Sequence, residues 1–394
     1  MNLVTLSLAG LRDARLTHAL NILILAMGVA TVTLLLLFSG TATDRLLRDG
    51  RGIDMVVGAK GSPLQLVLST VFQTDIPTGN IDLAELQTLA RNPMIRRAVP
   101  LALGDATHSF RIVGTTPEYL ALYNAHLAAG RVFQQPMEAV LGAQTAQRLH
   151  LHVGDQFVGA HGVNGNGELH SAFPYTVTGI LAPTGAVIDR LALTPVESVW
   201  RVHADEHTAA DPAQQITAVL VQARTPLALV MLPYMINLRT PYMAAIPAQQ
   251  AARLFSLLGF GLAAFRALAW VLIASAGLGM LIALTTRLRE RRQELATLRL
   301  LGASRSQLFI SVLIEALILA TLGALLGLAL GHAGAWVLSV WFPSGQAMAS
   351  IEAGWRPTEW GLLALAIGMG LLAAAIPAIT AYRSDVSPVL GAGA

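Results

Sequence analysis

The chain has 394 residues, of which 54% are apolar and only 12% charged, about half the charged share of an ordinary globular protein. Lys and Arg (26) nearly balance Asp and Glu (23), and no basic stripe interleaved with aromatics occurs, so no nucleic-acid partner is expected. Cysteine is absent, which excludes disulfides, thiol catalysis and cysteine-based zinc sites.

The apolar residues fall in four long blocks. Residues 1–19 form an N-terminal segment with Arg12 and Arg15. Leu20 to Ser39 then runs without a charge, and at about 1.5 Å per residue it crosses the roughly 30 Å hydrocarbon layer. A cleaved signal peptide would carry a shorter apolar region of about 7–15 residues, so residues 20–40 are read as a retained first span. The second span is 266–286, with Arg266 at its edge, where the guanidinium can snorkel to the interface. The third, 308–331, is interrupted only by Glu315. The fourth, 360–382, is flanked by the interface aromatics Trp360 and Tyr382, and Pro377 in its last turn is placed to end or kink it.

Arginine placement predicts the orientation. The loop 287–307 carries Arg287, Arg289, Arg291, Arg292, Arg299 and Arg305, whereas the loop 332–359 carries Arg356 alone. The positive-inside rule makes the first loop cytoplasmic. Both termini, including the tail 383–394, are then cytoplasmic, and residues 41–265 lie outside a bacterial cytoplasmic (inner) membrane. That insertion is too long for a loop. Short β-rich runs at Phe110–Val113, Tyr175–Ile180 and Ala218–Val221 alternate with helical patterns at Asp82–Arg91 and Gln144–Leu149. The segments His161–His170 and Ala204–Gln214 read as loops. The predicted fold is an α-helical membrane protein of four transmembrane helices, with a large mixed α/β extracytoplasmic domain between helices 1 and 2.

The loop after the second span is the most informative segment. Leu284, Leu288, Leu295, Leu298 and Leu301 fall near one helical face, and Arg289, Glu290, Arg292 and Glu294 populate the rest. Gly302 is placed to stop this helix, and Ser304 with Gln307 forms a capping box that starts the next. Two readings fit: a basic tether on anionic lipid headgroups, or a docking surface for a cytoplasmic protein. The leucine stripe and the mixed charges exceed what topology alone requires.

The run RLRERRQELATLRLLGAS, residues 287–304, resembles the corresponding loop of FtsX-like, or MacB/LolC-type, ABC transporter permeases of the four-span, type VII-like plan. The long external insertion is similar, as is the tail with Pro377, Arg383 and Pro388. The stretch from Asp54 to Ile81, DMVVGAKGSPLQLVLSTVFQTDIPTGNI, resembles a subgroup of permeases within that family. The resemblance implies a dimer with a second permease copy or a homologue, two copies of a cytoplasmic ABC ATPase subunit, and contact with membrane lipid. It also implies mechanotransmission, in which ATP-driven closure of the ATPases is passed to the external domains. On that resemblance Glu290, Glu294, Leu295, Leu298, Leu301 and Gly302 lie at or near the coupling contact, and Arg289, Arg292 and Arg299 pair with acidic groups of the ATPase or with lipid. Export or extraction of a lipoprotein, lipid or peptide is the expected activity. The alternatives are a non-transporting regulator of a periplasmic partner such as a cell-wall hydrolase, or a component of a metal-uptake system.

No P-loop is present, so this chain is not expected to be an enzyme or to bind a cofactor; ATP and Mg belong to the partner ATPase. The nearest pattern, Gly58-Ala59-Lys60-Gly61-Ser62, lacks the first glycine at the required spacing and reads as a structural turn. Glu315 is the one carboxylate well inside a span. Ionisable groups there are costly and often functional; a partner within the bundle is the preferred reading, a proton or substrate site the other. Gly323, Gly327 and Gly331 make a small-residue stripe for helix packing, with the dimer interface as one place for it. Among the external histidines, His150, His152, His161, His170, His203 and His207, the pair His203 and His207 has the i, i+4 spacing that could suit zinc. Their segment looks like a polar loop and no HExxH pattern occurs, so these histidines are read as surface residues and no metal site is assigned. No GxSxG elbow is present either.

Overall fold

A computed structural model describes residues 15–162, 167–203, 214–290, 297, 302–341 and 354–383. The chain forms two compact units, one built from residues up to Thr41 and from Gly259 onward, the other chiefly from Ala42–Leu258. The first helix, α1 (Arg15–Asp49), has 35 residues and so a length of roughly 52 Å. It outlasts the apolar run that defines the span, and its last turns carry Asp44, Arg45, Arg48 and Asp49.

The α/β unit follows in the order β1 (Met55–Ala59), α2 (Pro63–Thr70), β2 (Ile81–Asp82), α3 (Leu83–Ala90), β3 (Ile95–Thr107), β4 (Phe110–Thr115), α4 (Glu118–Leu122) and β5 (Leu127–Gly130). It continues through β6 (Glu138–Leu141), α5 (Ala143–Leu149), β7 (Gln156–Phe157), β8 (Ala160–His161), β9 (Tyr175–Leu181), β10 (Leu191–Pro195) and α6 (Val196–His203). The last elements are β11 (Gln215–Ile216), β12 (Ala218–Ala223), α7 (Pro226–Arg239) and β13 (Tyr242–Ala245). One sheet runs β13-β1-β12-β3-β4-β10-β6-β9-β5, with β8 added on β3 and β7 on β9; β2 and β11 pair separately. Only β4–β10 and β6–β9 are parallel pairs among the described strands. The predicted strands lie in β4, β9 and β12, and the two predicted helices in α3 and α5.

The centre of this sheet is buried on both faces, which is why β1 and β12 read as continuous apolar runs. Val56 and Leu220 point into a cluster with Leu66, Val99, Leu101 and Val113. Their neighbours Met55, Val57, Val219 and Val221 point the other way, against Ala228, Leu232 and Ile236 of α7. The Gly58–Ser62 pattern spans the end of β1 and the short bend into α2, where Ser62 Oγ accepts from the Gln65 N–H at 3.4 Å as the N-cap and Pro63 opens the helix. Lys60 Nζ donates to the Thr240 carbonyl at 3.3 Å. Buried Arg111 ties the end of α2 and the loop after it to β4, donating to the carbonyls of Ser69 (3.3 Å) and Asp75 (2.6 Å). Burial lowers its pKa to about 10, so it stays charged at neutral pH.

Three more long helices follow among the described residues: α8 (Pro247–Glu290), α9 (Arg305–Trp341) and α10 (Thr358–Arg383). With α1, the stretches Gly259–Glu290, Arg305–Trp341 and Thr358–Arg383 are each long and apolar enough to cross a membrane. Pro377 does not end the fourth; it is buried inside α10, which continues to Arg383. The glycine stripe of α9 packs within the chain, against α1. A Cβ added at Gly323 would lie 2.8 Å from Leu25 Cδ2, at Gly327 2.6 Å from Val29 Cβ and 2.7 Å from the Ala26 carbonyl oxygen, and at Gly331 2.7 Å from Thr33 Cβ. The stripe is thus a helix-packing seam filled by α1 of the same chain. Replacing Gly327 with Leu forces the two helices apart, and we expect a loss of about 1–3 kcal/mol, read as a lowered Tm of the detergent-solubilised protein. Gly361→Leu is the control, since nothing lies within 4 Å of a Cβ there.

Candidate functional site

The predicted coupling segment is described at its two ends. Arg289 and Glu290 close α8, and Gly302 takes φ +96°, the left-handed conformation that glycine supplies without strain. The capping box forms as the sequence requires: Ser304 N–H donates to Gln307 Oε1 at 2.8 Å, and Gln307 N–H donates to Ser304 Oγ at 3.2 Å. These two bonds satisfy donors left open at the start of α9. Arg292, Glu294, Leu295, Leu298, Arg299 and Leu301 lie outside the described residues. Leu284 is buried in the helix bundle and Leu288 packs against it, so the inner end of the leucine stripe belongs to the bundle core.

Glu315 has its partner in the bundle. Its carboxylate pairs with the Arg287 guanidinium, and His18 Nε2 of α1 lies 3.6 Å away. All three side chains are largely buried. Arg287, counted in the sequence as one of six loop arginines, thus faces inward. One turn along α1, Asn21 Oδ1 would lie 2.6 Å from a Cβ at Gly279 of α8, so glycine is what admits the amide there. A second polar clasp joins α1 and α9 to α10. The fully buried Glu359, in the first turn of α10, meets His332 Nε2 of α9 at 2.8 Å and accepts from the Arg356 N–H at 3.1 Å. The Arg356 side chain reaches Thr41 Oγ1 of α1 at 3.5 Å.

The α/β unit holds a third constellation. Asp105 on β3, His161 on β8, His170 on the return from β8 and His203 at the end of α6 present ligand atoms that all lie within 4.8 Å of one another. His203 Nε2 is 3.3 Å and His170 Nε2 3.4 Å from the Asp105 carboxylate, and His161 Nδ1 is 3.8 Å from it. Asp105 is 4% exposed. Neither of its oxygens has a hydrogen-bond partner among the described residues. A bulge aims it: Leu103 and Ala106 of β3 face Val113 and Arg111 of β4, leaving two residues opposite one. Gly104 makes room, since a Cβ there would lie 3.3 Å from His203 Nε2. Tyr175, stacked on Phe157 at 5.3 Å, lines the same region; burial, with the Asp105 carboxylate nearby, pushes its phenol well above the ordinary value. His203 is therefore not a free surface histidine, and its neighbours are His161 and His170; His207 lies outside the described residues. The sequence spacing missed Asp105 altogether.

The two halves of this architecture match two known family models. Residues 18–229 match the MacB-like periplasmic core domain, more than half of the chain, and residues 266–386 match the FtsX-like permease C-terminal region. The chain belongs to the FtsX/MacB-like ABC transporter permeases. No curated protein sequence matches it. Among solved structures, the periplasmic region of MacB from Actinobacillus actinomycetemcomitans is similar at 13% identity, covering 53% of this permease and 97% of that chain, with a TM-score of 0.34. The extracellular domain of the ABC-type transporter YknZ from Gram-positive bacteria is similar at 12% identity, covering 48% of this permease and 98% of that chain, with a TM-score of 0.31. Membership implies an ABC ATPase partner, and the permease is not itself the ATPase.

In the permease, Arg287 and Glu315 form a largely buried ion pair. Breaking a buried ion pair leaves an uncompensated charge and costs about 3–5 kcal/mol, whereas an apolar pair of similar volume is often neutral. Glu315→Ala should therefore lower the Tm of the solubilised permease strongly, and the double variant Arg287→Met/Glu315→Leu should recover most of it. A purely structural pair leaves that double variant active, whereas a Glu315 that acts as a proton or substrate site leaves it equally stable but inactive.

Proposed function

We propose that this permease is the membrane subunit of an ATP-powered complex in which separate cytoplasmic ATPase subunits drive movement of the α/β domain on the outer side of the inner membrane. The movement serves export or extraction of a lipoprotein, lipid or peptide by mechanotransmission. The observation that carries this reading is the FtsX-like match over residues 266–386, which brackets the arginine-rich loop and the capped start of α9. The mixed charge and leucine stripe between Arg287 and Gly302 suit a protein contact better than a lipid tether alone. Glu290, Glu294, Leu295, Leu298, Leu301 and Gly302 are assigned to the ATPase contact, and Arg289, Arg292 and Arg299 to its acidic groups or to lipid headgroups. A second permease subunit, identical or homologous, completes the membrane core, and ATP and Mg reside in the partner.

The orientation is open to a direct test because the chain has no cysteine. Val153→Cys sits on the exposed surface of the α/β unit, and Ser306→Cys at the exposed start of α9. In intact spheroplasts a membrane-impermeant maleimide should label the first and spare the second until the membrane is opened; the reverse pattern overturns the topology.

The coupling assignment is tested at Leu298. Disrupting a hot-spot residue at the centre of a contact costs about 2 kcal/mol or more. Leu298→Asp should therefore abolish copurification with the ATPase, or its stimulation in proteoliposomes, while leaving the Tm of the permease unchanged. An unaltered ATPase rate in an intact complex removes the leucine stripe from the contact.

A further inference from the structure

We propose that Asp105, His161, His170 and His203 form a binding site for a divalent transition metal, with zinc as the ion the donor set fits best. The inference stands on the α/β unit alone and does not depend on the transport reading. Zinc ligated by nitrogen and oxygen at about 2.0–2.1 Å in a tetrahedron separates neighbouring ligand atoms by about 3.3–3.4 Å. His203 Nε2 and His170 Nε2 lie 3.3 Å and 3.4 Å from the Asp105 oxygens, and His161 Nδ1 lies at 3.8 Å. The three imidazole rings meet edge to face, with centroids 5.4–6.2 Å apart and interplanar angles of 77–81°. Such rings aim nitrogens at a shared centre; stacked rings would not.

The burial pattern points the same way. Asp105 is a carboxylate held out of water, with neither oxygen hydrogen-bonded among the described residues. His170 Nε2 is likewise buried without a hydrogen-bond partner. Polar atoms in that condition carry a large desolvation penalty, and a cation between them removes it. The side chain of His161 is 57% exposed and that of His203 21% exposed, so an ion reaches the site from solvent. Three imidazoles and one carboxylate suit zinc, whereas an oxygen-rich set would suit magnesium or calcium.

The site joins four separate stretches of the α/β unit. Asp105 and His161 face each other across the β3–β8 pair. His170 is fixed by its N–H donating to the Gly159 carbonyl at 2.9 Å. His203 closes α6. A bound ion therefore pins the β8 hairpin and the end of α6 to the bulged part of β3. Binding to the folded state alone stabilises it in proportion to the logarithm of ion concentration over Kd.

The test uses the full-length permease in detergent, stripped with a chelator, equilibrated with zinc chloride and desalted before elemental analysis. About one zinc per chain should be retained, and zinc should raise Tm. Asp105→Asn, an isosteric change, and His161→Ala, at an exposed side chain that the core does not need, should each weaken retention by at least about tenfold and abolish the Tm shift. His152→Ala, at an exposed histidine paired with Asp155, should behave as wild type. Cobalt substituted for zinc should give the intense visible absorption of a tetrahedral site. Wild-type permease that retains no zinc and shows no Tm shift overturns the proposal and leaves an ion-pair cluster of histidines around Asp105. Retention that survives both Asp105→Asn and His161→Ala overturns it as well, by placing the metal elsewhere.

Discussion

The close approach of α9 to α1 is the constraint on which the membrane unit depends. Lipid tails offer no hydrophobic gain for helix association, so contact must come from small residues that let backbones meet. Gly323, Gly327 and Gly331 meet Leu25, Val29 and Thr33 in turn. The partner number rises by four each time the glycine number does, so the two helices run parallel. Gly28 against Ile273, and Asn21 against Gly279, run in opposite order, so α1 and α8 are antiparallel. Successive membrane spans must alternate in direction, and spans one and three must therefore agree. The packing register thus reproduces, from side-chain contacts, the alternation that hydropathy and arginine placement required.

That register also fixes where ionisable groups can be tolerated. His18, Arg287 and Glu315 meet near the start of α1 and α9 and the end of the second span. Thr41, His332, Arg356 and Glu359 meet near the other ends of α1 and α9 and the start of α10. Each cluster draws on at least three helices and balances a carboxylate against a cation, an imidazole or a backbone donor. Unpaired, each carboxylate would be among the most costly groups in the bundle. Paired, they act as clasps that resist sliding along the glycine seam. The apolar seam sets how near the helices come, and the polar clasps set their register.

Much of this was legible in the sequence because it is local. An uncharged run of span length, a Ser304–Gln307 cap and an alternating strand such as Ala218–Val221 each declare themselves within a few residues. The spans, the mixed domain and the family resemblance followed from such signals. Partners were not legible. Arg287 is indistinguishable in sequence from the arginines that follow it, yet its helical phase turns it toward Glu315. The glycine stripe announced a close contact without saying with what. Pro377 read as a residue that ends or kinks the last span, and α10 continues past it to Arg383. The i, i+4 rule selected His203 and His207 as a pair; His207 lies outside the described residues, and the described residues that meet His203 come from β3 and the β8 hairpin.

The histidine constellation shows why such a site escapes one-dimensional reading. Strand β3 carries Ala102, Leu103, Ala106 and Thr107 into register with β4, and only the bulge at Gly104 and Asp105 frees a carboxylate from that pattern. In a sheet whose flanking clusters are apolar, a buried aspartate must be compensated or it destabilises the fold. No arginine or lysine compensates it among the described residues; three imidazoles face it instead. Neutral imidazoles are weak compensation for a carboxylate, and three imidazolium rings so close together would repel one another. A divalent cation resolves both difficulties, because it neutralises the carboxylate while using each imidazole in its neutral form. In a chain without cysteine, nitrogen and oxygen donors are also the only means of holding zinc. The bulge, the missing Cβ at Gly104 and the end of α6 at His203 are then parts of one requirement, the assembly of four donors around a point.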